Sequence, residues 1–396
     1  MPSLTKLTFL KSWLADNNLP ACYGAMYLGN TLLYKNTEHQ HTNTAQLQIV
    51  QDVPDYLTIN VRENSGIKLK TVQTLKGHVV ELETFKTLND YLLQNFNAKN
   101  RNNLKRYVKK LETCFPITYK VFFGAMDRQE YDALFVALEA LLIRRFQQKQ
   151  EANYELQHLE EFHKTIYQLV LDKKANMFVI YDAHTPISIR INLFNNNLGY
   201  YIISAYDIDY SKFHLGAIDM LKNIEWCITK NYKLYDLLKG YNNYKSKWAT
   251  QVHFYNTYIL YNPKQLNAVC TANYQAFKEK CRYKLYHFYL NNKISAHHKR
   301  LKKQLFRFTH QENPDSNFKI SIETTTLATG NLKPIDIRDD KAYHFLKNSV
   351  YNFLYETNTP INAVKVFIEA NNPNCFIVQG RNKNQKITIT NKTKVN

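Results

Sequence analysis

Between Asn89 and Trp248 the chain runs through one ordered series of elements, and that order limits the folds open to it. A basic helix, NAKNRNNLKRYVKKLE (97–112), precedes a short strand, ITYKVFFG, and two long amphipathic helices. A hairpin (ANMFVIYDAHTPISIRINLF), a strand (GYYIISAYDIDYS), a helix (KFHLGAIDMLKNIEWCITK) and a short buried strand (KLYDLL) follow. TQVHFYNTYILY closes the series as a further strand. Asp127 stands at an N-cap with Glu130 three residues on, the capping-box arrangement, and Leu134, Leu138, Leu141 and Leu142 form one stripe. Ile187, Ile189 and Ile191 keep the two-residue phase of a strand. The pattern predicts helix–helix–β–β–β–helix–β–turn–β, a mixed α/β layer.

A chain of 396 residues predicts two or three domains. Residues 1–85 read as short strands and turns, 266–310 as a basic helical segment, HQENPDSN (310–317) as a linker, and 318–396 as a small separate α/β unit. Neither G-x-x-x-x-G-K-[ST] nor G-x-G-x-x-G occurs, which excludes the two common phosphate-cradling loops. The net charge of +19 suits either a solvated basic surface or affinity for polyanions. Six scattered cysteines without C-x-x-C spacing fit a reducing cytosol. With no signal-peptide core and no apolar run of about 18 residues, a cytoplasmic protein is expected. His39, His41, His297 and His298 have no acidic or thiolate partner at ligand spacing, so no metal is predicted.

The order and wording of residues 89–248 resemble the GNAT superfamily of N-acyltransferases, in its FemAB-like acetyltransferase branch. The resemblance implies an α/β (α+β) GNAT fold, a mixed and mostly antiparallel sheet flanked by helices, in tandem with a degenerate N-terminal half. It divides the chain at 1–115, a degenerate half carrying the basic helix, and 116–265, the acyltransferase domain. It also implies transfer of an acyl group from a thioester to an amine on an anionic small molecule or envelope precursor. Acyl-CoA is the first donor, acyl carrier protein the second and aminoacyl-tRNA the third. The rival readings are a FemAB-type aminoacyl-tRNA-dependent peptidyltransferase, and a non-catalytic basic protein that kept the fold and binds nucleic acid or lipid.

In such folds the donor lies where two strands splay, with its pyrophosphate at the following helix N-terminus. Tyr210, Ser211, Lys212, Leu215, Gly216 and Ala217 occupy that junction and are the expected donor-binding residues. Gly216 is the one glycine there, and a tight strand-to-helix turn would use it for packing alone. The splay is expected after Tyr206. Asp209 is the expected polar site residue, able to accept the amine's proton, although an Asp there also suits a helix cap. GYNNYKSKWA (240–249) resembles the Gly…Tyr-Lys…Trp segment of the branch, with Tyr244 as general acid, Lys245 as a phosphate or carboxylate partner, and Trp248 beside them. An aromatic packing knot around Trp248 is the alternative. Arg101 and Lys105, four apart on the basic helix, share a face and suit an anionic acceptor as well as solvent. The aromatic-interleaved cations of 278–307 suit single-stranded RNA or tRNA, peripheral contact with anionic lipid, or a packed helix with a wet basic side.

Overall fold

The computed structural model describes residues 4–14, 18–37, 47–240, 243–292, 294–309, 318–325 and 331–391, so the 310–317 linker and the His39–His41 loop lie outside the described residues. The strands of the first half are β1 (Leu4–Thr8), β2 (Tyr23–Leu28), β3 (Thr31–Lys35), β4 (Leu47–Pro54), β5 (Leu57–Val61) and β6 (Lys68–Glu81). The second half supplies β7 (Ile117–Phe122), β8 (Ala175–Asp182), β9 (Thr185–Asn195), β10 (Leu198–Tyr206), β11 (Leu234–Lys239) and β12 (Gln251–Tyr261). Beyond them lie β13 (Phe318–Thr325), β14 (Leu332–Ile335), β15 (Lys365–Glu369), β16 (Asn372–Gln379) and β17 (Asn384–Asn391). The helices are α1 (Phe9–Leu14), α2 (Leu88–Asn95), α3 (Ala98–Cys114), α4 (Arg128–Lys149), α5 (Tyr154–Gln157), α6 (Leu159–Leu171), α7 (Leu215–Thr229), α8 (Asn243–Trp248), α9 (Leu266–Asn291), α10 (Ile294–Thr309) and α11 (Lys347–Thr357).

One nine-stranded sheet, in the order β1-β4-β12-β6-β11-β10-β9-β8-β7, unites the two halves: β12 of the second is inserted between β4 and β6 of the first, and β6 then pairs with β11. Only β1–β4 and β10–β11 of this sheet are parallel pairs, so it is mostly antiparallel, and with the flanking helices it forms the mixed α/β layer that the order of elements predicted. A three-stranded sheet, β3-β2-β5, packs with α1 through Phe9, Trp13 and Tyr23. The alternation of β9 places Ile189 and Ile191 against α4 and α6, with Met177 and Val179 of β8 beside them. Leu138 and Leu142 of α4 are fully enclosed there, each contributing about 1.5–3 kcal/mol of hydrophobic stabilisation.

Several local expectations change. Asp127 caps α4 by accepting from the N–H groups of Gln129 and Glu130, but Glu130 pairs with Lys120 at 2.7 Å instead of closing a capping box. The reciprocal box occurs at α2, between Thr87 and Asp90. The second long helix is broken at His158 into α5 and α6.

The C-terminal residues form a five-stranded antiparallel sheet, β13-β17-β16-β15-β14, with α11 beside it. This unit is not separate from the rest. Tyr351, Phe353 and Leu354 of α11 share a continuous core with Leu111, Phe115, Phe178, Ile187 and Phe213. An α11 helix with apolar residues on the side facing α3 cannot leave them in water, so the unit docks.

Candidate active site

The parallel pairing of β10 with β11 covers only Leu198↔Leu234, Gly199↔Tyr235 and Tyr200↔Asp236. Beyond Tyr200 and Asp236 the two strands part, although β10 continues to Tyr206 and β11 to Lys239. The splay therefore opens inside the strand, several residues earlier than the Tyr206 boundary expected from sequence. Two local features produce it. The β9–β10 register shifts between Tyr201 and Ile203, so β10 bends at a bulge. On β11, Leu238 adopts φ 65°, the left-handed region that favours glycine, and its N–H donates to its neighbour Asp236 Oδ1 at 2.7 Å. The fully buried Asp236 is itself held by the hydroxyls of Tyr56 (2.8 Å) and Tyr255 (2.9 Å).

Helix α8 stands at the edge of this fork. The half-buried Tyr244 donates its hydroxyl to the Gly216 carbonyl at 2.6 Å, which ties α8 to the first turn of α7. Burial pushes the Tyr244 phenol well up, so the group carries its proton at neutral pH. Lys245 Nζ donates to the Lys239 carbonyl at 3.2 Å and lies 5.6 Å from the centre of the Tyr201 ring. Burial lowers the Lys245 pKa, against the pull of Asp236 and Glu155. Trp248 is buried against Phe96, and its carbonyl accepts from Tyr91 Oη at 2.5 Å.

Gly216 has no room for a side chain, because a Cβ would stand 2.9 Å from the Tyr206 ring. His214 precedes α7 in the left-handed region and stacks on Tyr107 of α3, with ring centres 4.0 Å apart. Burial lowers the His214 pKa, and the nearby Arg106 lowers it further.

Beneath α7 lies a buried polar network that sequence reasoning missed. Arg190 of β9 donates from Nε to Asp219 Oδ2 at 2.8 Å and from a terminal nitrogen to the same oxygen. Ser204 Oγ donates to Asp219 at 3.1 Å, and Asn223 Nδ2 donates to the other carboxylate oxygen at 3.1 Å. Tyr235 Oη donates to Asn192 Oδ1 at 2.6 Å, and Asn192 Nδ2 donates to Asn223 and Asn176. The Arg190 guanidinium lies 4.2 Å from the Tyr201 ring centre, so the network reaches the first residue past the parting of the strands. It fixes the position of α7 against four strands at once. Its sequence signal was Arg190, a charged residue between Ile189 and Ile191 in a strand long enough to be central.

The residues expected to bind donor therefore divide. Gly216 and Ala217 begin α7 beside the fork, with Tyr244, Lys245 and Trp248 of α8 close to them. Tyr210 and Leu215 do not join them. Tyr210 is buried between Phe115 and Tyr351, and its hydroxyl donates to Asp182 at 2.7 Å. Leu215 is a core residue of the same cluster. Ser211 accepts from Asn348 at 3.3 Å, and Lys212 pairs with Glu356 at 3.3 Å, so both lie against the C-terminal unit.

Asp209 is buried, and its Oδ2 accepts from Arg144 at 2.9 Å while the same guanidinium binds Asp207 at 2.9 Å. Burial and the adjacent Asp207 raise its pKa, and Arg144 opposes them. The geometry makes Asp209 the anchor of α4 on this turn. Arg101 donates to the Phe96 carbonyl at 2.5 Å, where it satisfies the end of α2, and Lys105 is exposed on α3.

Residues 98–246 match the family model described as an acetyltransferase (GNAT) domain. No curated protein sequence matches this chain significantly. Among solved structures, L-PGS from Bacillus licheniformis is similar at 13% identity and TM-score 0.37, over 58% of this chain and 73% of that one. FemX is similar at 11% identity and TM-score 0.39, over 55% and 72% of the two chains. A conserved protein of unknown function from Bacteroides thetaiotaomicron VPI-5482 is similar at 10% identity and TM-score 0.36, over 55% and 70%. The matched segment, 98–246, contains the strand fork, all of α7 and the greater part of α8: the chain carries a GNAT acetyltransferase domain and is an acyltransferase.

Proposed function

We propose that the fork between β10 and β11 takes a thioester donor, acyl-CoA first, and that the acyl group passes to an amine on an anionic small molecule or envelope precursor. The observation that supports this most is the position of α8, which sets Tyr244 on the Gly216 carbonyl and Lys245 on the Lys239 carbonyl at one opening. The parted edge of β10 offers backbone groups to an extended pantetheine arm and to a developing oxyanion. The first N–H groups of α7, at Leu215 and Gly216, face an anion such as the donor's pyrophosphate, with Arg106 nearby.

The amine attacks the thioester carbonyl directly. The new C–N bond forms, the C–S bond breaks, the amine loses a proton to solvent, Tyr244 gives its own to the leaving thiolate, and solvent restores the phenol. Lys245 neutralises an acceptor or donor anion as a point charge, and the α3 cations Arg101 and Lys105 extend that positive surface. The six cysteines are free thiols, which suits a reducing, cytoplasmic setting.

Steady-state kinetics with acyl-CoA and an amine acceptor test this reading through Tyr244→Phe. The ring keeps its packing, so donor affinity should hold while turnover falls by about 100- to 10,000-fold, the range of a positioned proton donor. Unchanged turnover would make Tyr244 a packing residue and remove the proposed general acid.

A further inference from the structure

Helix α9 has two contrasting sides. Ala268, Ala272, Gln275 and Ala276 are buried against the sheet. Leu266, Tyr274, Phe277, Leu285 and Phe288 fall on the opposite side, at steps of eight, three, eight and three residues. At 3.6 residues per turn these positions stay within about 100° of one another, a single stripe along the helix. The stripe faces solvent: Leu266 is 77% exposed, Phe277 66%, Leu285 68% and Phe288 62%.

Cations line both borders of this stripe, Lys278 and Arg282 on one, Lys280 and Lys284 on the other, and all four are exposed. Residues 266–309 contain ten lysines and arginines and one acidic residue, Glu279. The following helix α10 repeats the combination, with Leu301 57% exposed beside Lys302 and Lys303.

We infer that the solvent face of α9, continued by α10, docks on the surface of an anionic lipid bilayer. An apolar stripe bordered by cations matches both layers of such a surface: the side chains enter the acyl boundary while the cations meet the headgroups. The charge excludes a second copy as the occupant, since two arms of the same sign would repel. Nucleic acid would use the aromatic rings for stacking and has no use for the fully presented aliphatic Leu266, Leu285 and Leu301. Among the described residues no helix is long and apolar enough to cross a membrane, so the contact is one of lying on the surface. This inference is independent of the acyl-transfer reading.

The test is co-sedimentation of the full chain with vesicles of phosphatidylcholine alone and of phosphatidylcholine mixed with phosphatidylglycerol. Binding is expected only to the mixed vesicles. A Phe277→Ser, Leu285→Ser, Phe288→Ser variant should lose at least about tenfold in affinity through its missing apolar contacts, with its circular dichroism unchanged. Lys278→Gln with Lys284→Gln should lose a smaller factor and flatten the salt dependence. Equal binding of wild type and the serine variant, or binding to single-stranded RNA without binding to the mixed vesicles, would overturn the inference.

Discussion

The two segments that flank the start of α7 contain similar residues, yet the fold puts them to opposite use. On one side, 207–213 supplies two aspartates, a tyrosine, a serine and a lysine, and nearly every one is consumed by structure. Arg144 takes both carboxylates, Asp182 takes the Tyr210 hydroxyl, Asn348 reaches the backbone carbonyls of Ile208 and Asp209 at 3.4 Å, and Glu356 takes Lys212. On the other side, Tyr244 and Lys245 of α8 spend their hydrogen bonds on main-chain carbonyls at the edge of an open fork. A proton donor held by a backbone acceptor can be moved to a substrate without leaving a charge unpaired, whereas drawing Asp209 into chemistry would take from Arg144 one of its two carboxylate partners. The difference teaches that the residue types near a strand end do not identify the reactive side; the partners do.

The contrast breaks first, and most severely, if its common support is removed. Asp219→Ala leaves Arg190, 1% exposed in its side chain, without its counter-charge beneath α7. Loss of one member of a buried ion pair costs about 3–5 kcal/mol, so urea unfolding should show a large drop in midpoint with little change in slope. A midpoint within experimental error of wild type would show that the network does not hold α7. A smaller effect sharpens the comparison on the other side. Asp209→Asn keeps the shape of the Arg144 contact and leaves Arg144 paired with Asp207, so turnover should change by less than about threefold if Asp209 makes no contact special to the transition state. A loss of about a hundredfold or more would restore Asp209 to the proton-transfer role expected from its place in the sequence.

How much of this was legible depends on where each side chain's partner lies. Ile187, Ile189 and Ile191 announce a strand because their partners are the same kind of residue at fixed spacing, and Leu134, Leu138, Leu141 and Leu142 announce α4 for the same reason. Ser188, Arg190 and Asn192 alternate with those isoleucines and read naturally as a water-facing side. In the fold all three are buried: Ser188 donates to the Ala205 carbonyl, and Arg190 and Asn192 meet Asp219 and Asn223 of a helix about thirty residues on, a match that no local period encodes. The partner of Asp209 was hidden by the same limit: Arg144 sits on α4, whose visible signal was its leucine stripe. The fork itself was implied in outline by the family resemblance, but its apex was not, since it depends on a bulge at Tyr201 and a left-handed Leu238. The docked C-terminal unit was read as separate because an amphipathic helix shows that it needs a cover without showing which surface supplies it.

The central claim is that the β10–β11 fork, and not the segment packed under the C-terminal unit, receives the donor. Hydrogen-exchange mass spectrometry of the full chain with and without a non-hydrolysable acyl-CoA analogue tests it directly. The account predicts slower exchange at residues 201–206, 215–218, 237–240 and 243–248, with 207–213 little changed. Slower exchange confined to 207–213 and α11, or none in the fork at saturating analogue, would contradict it.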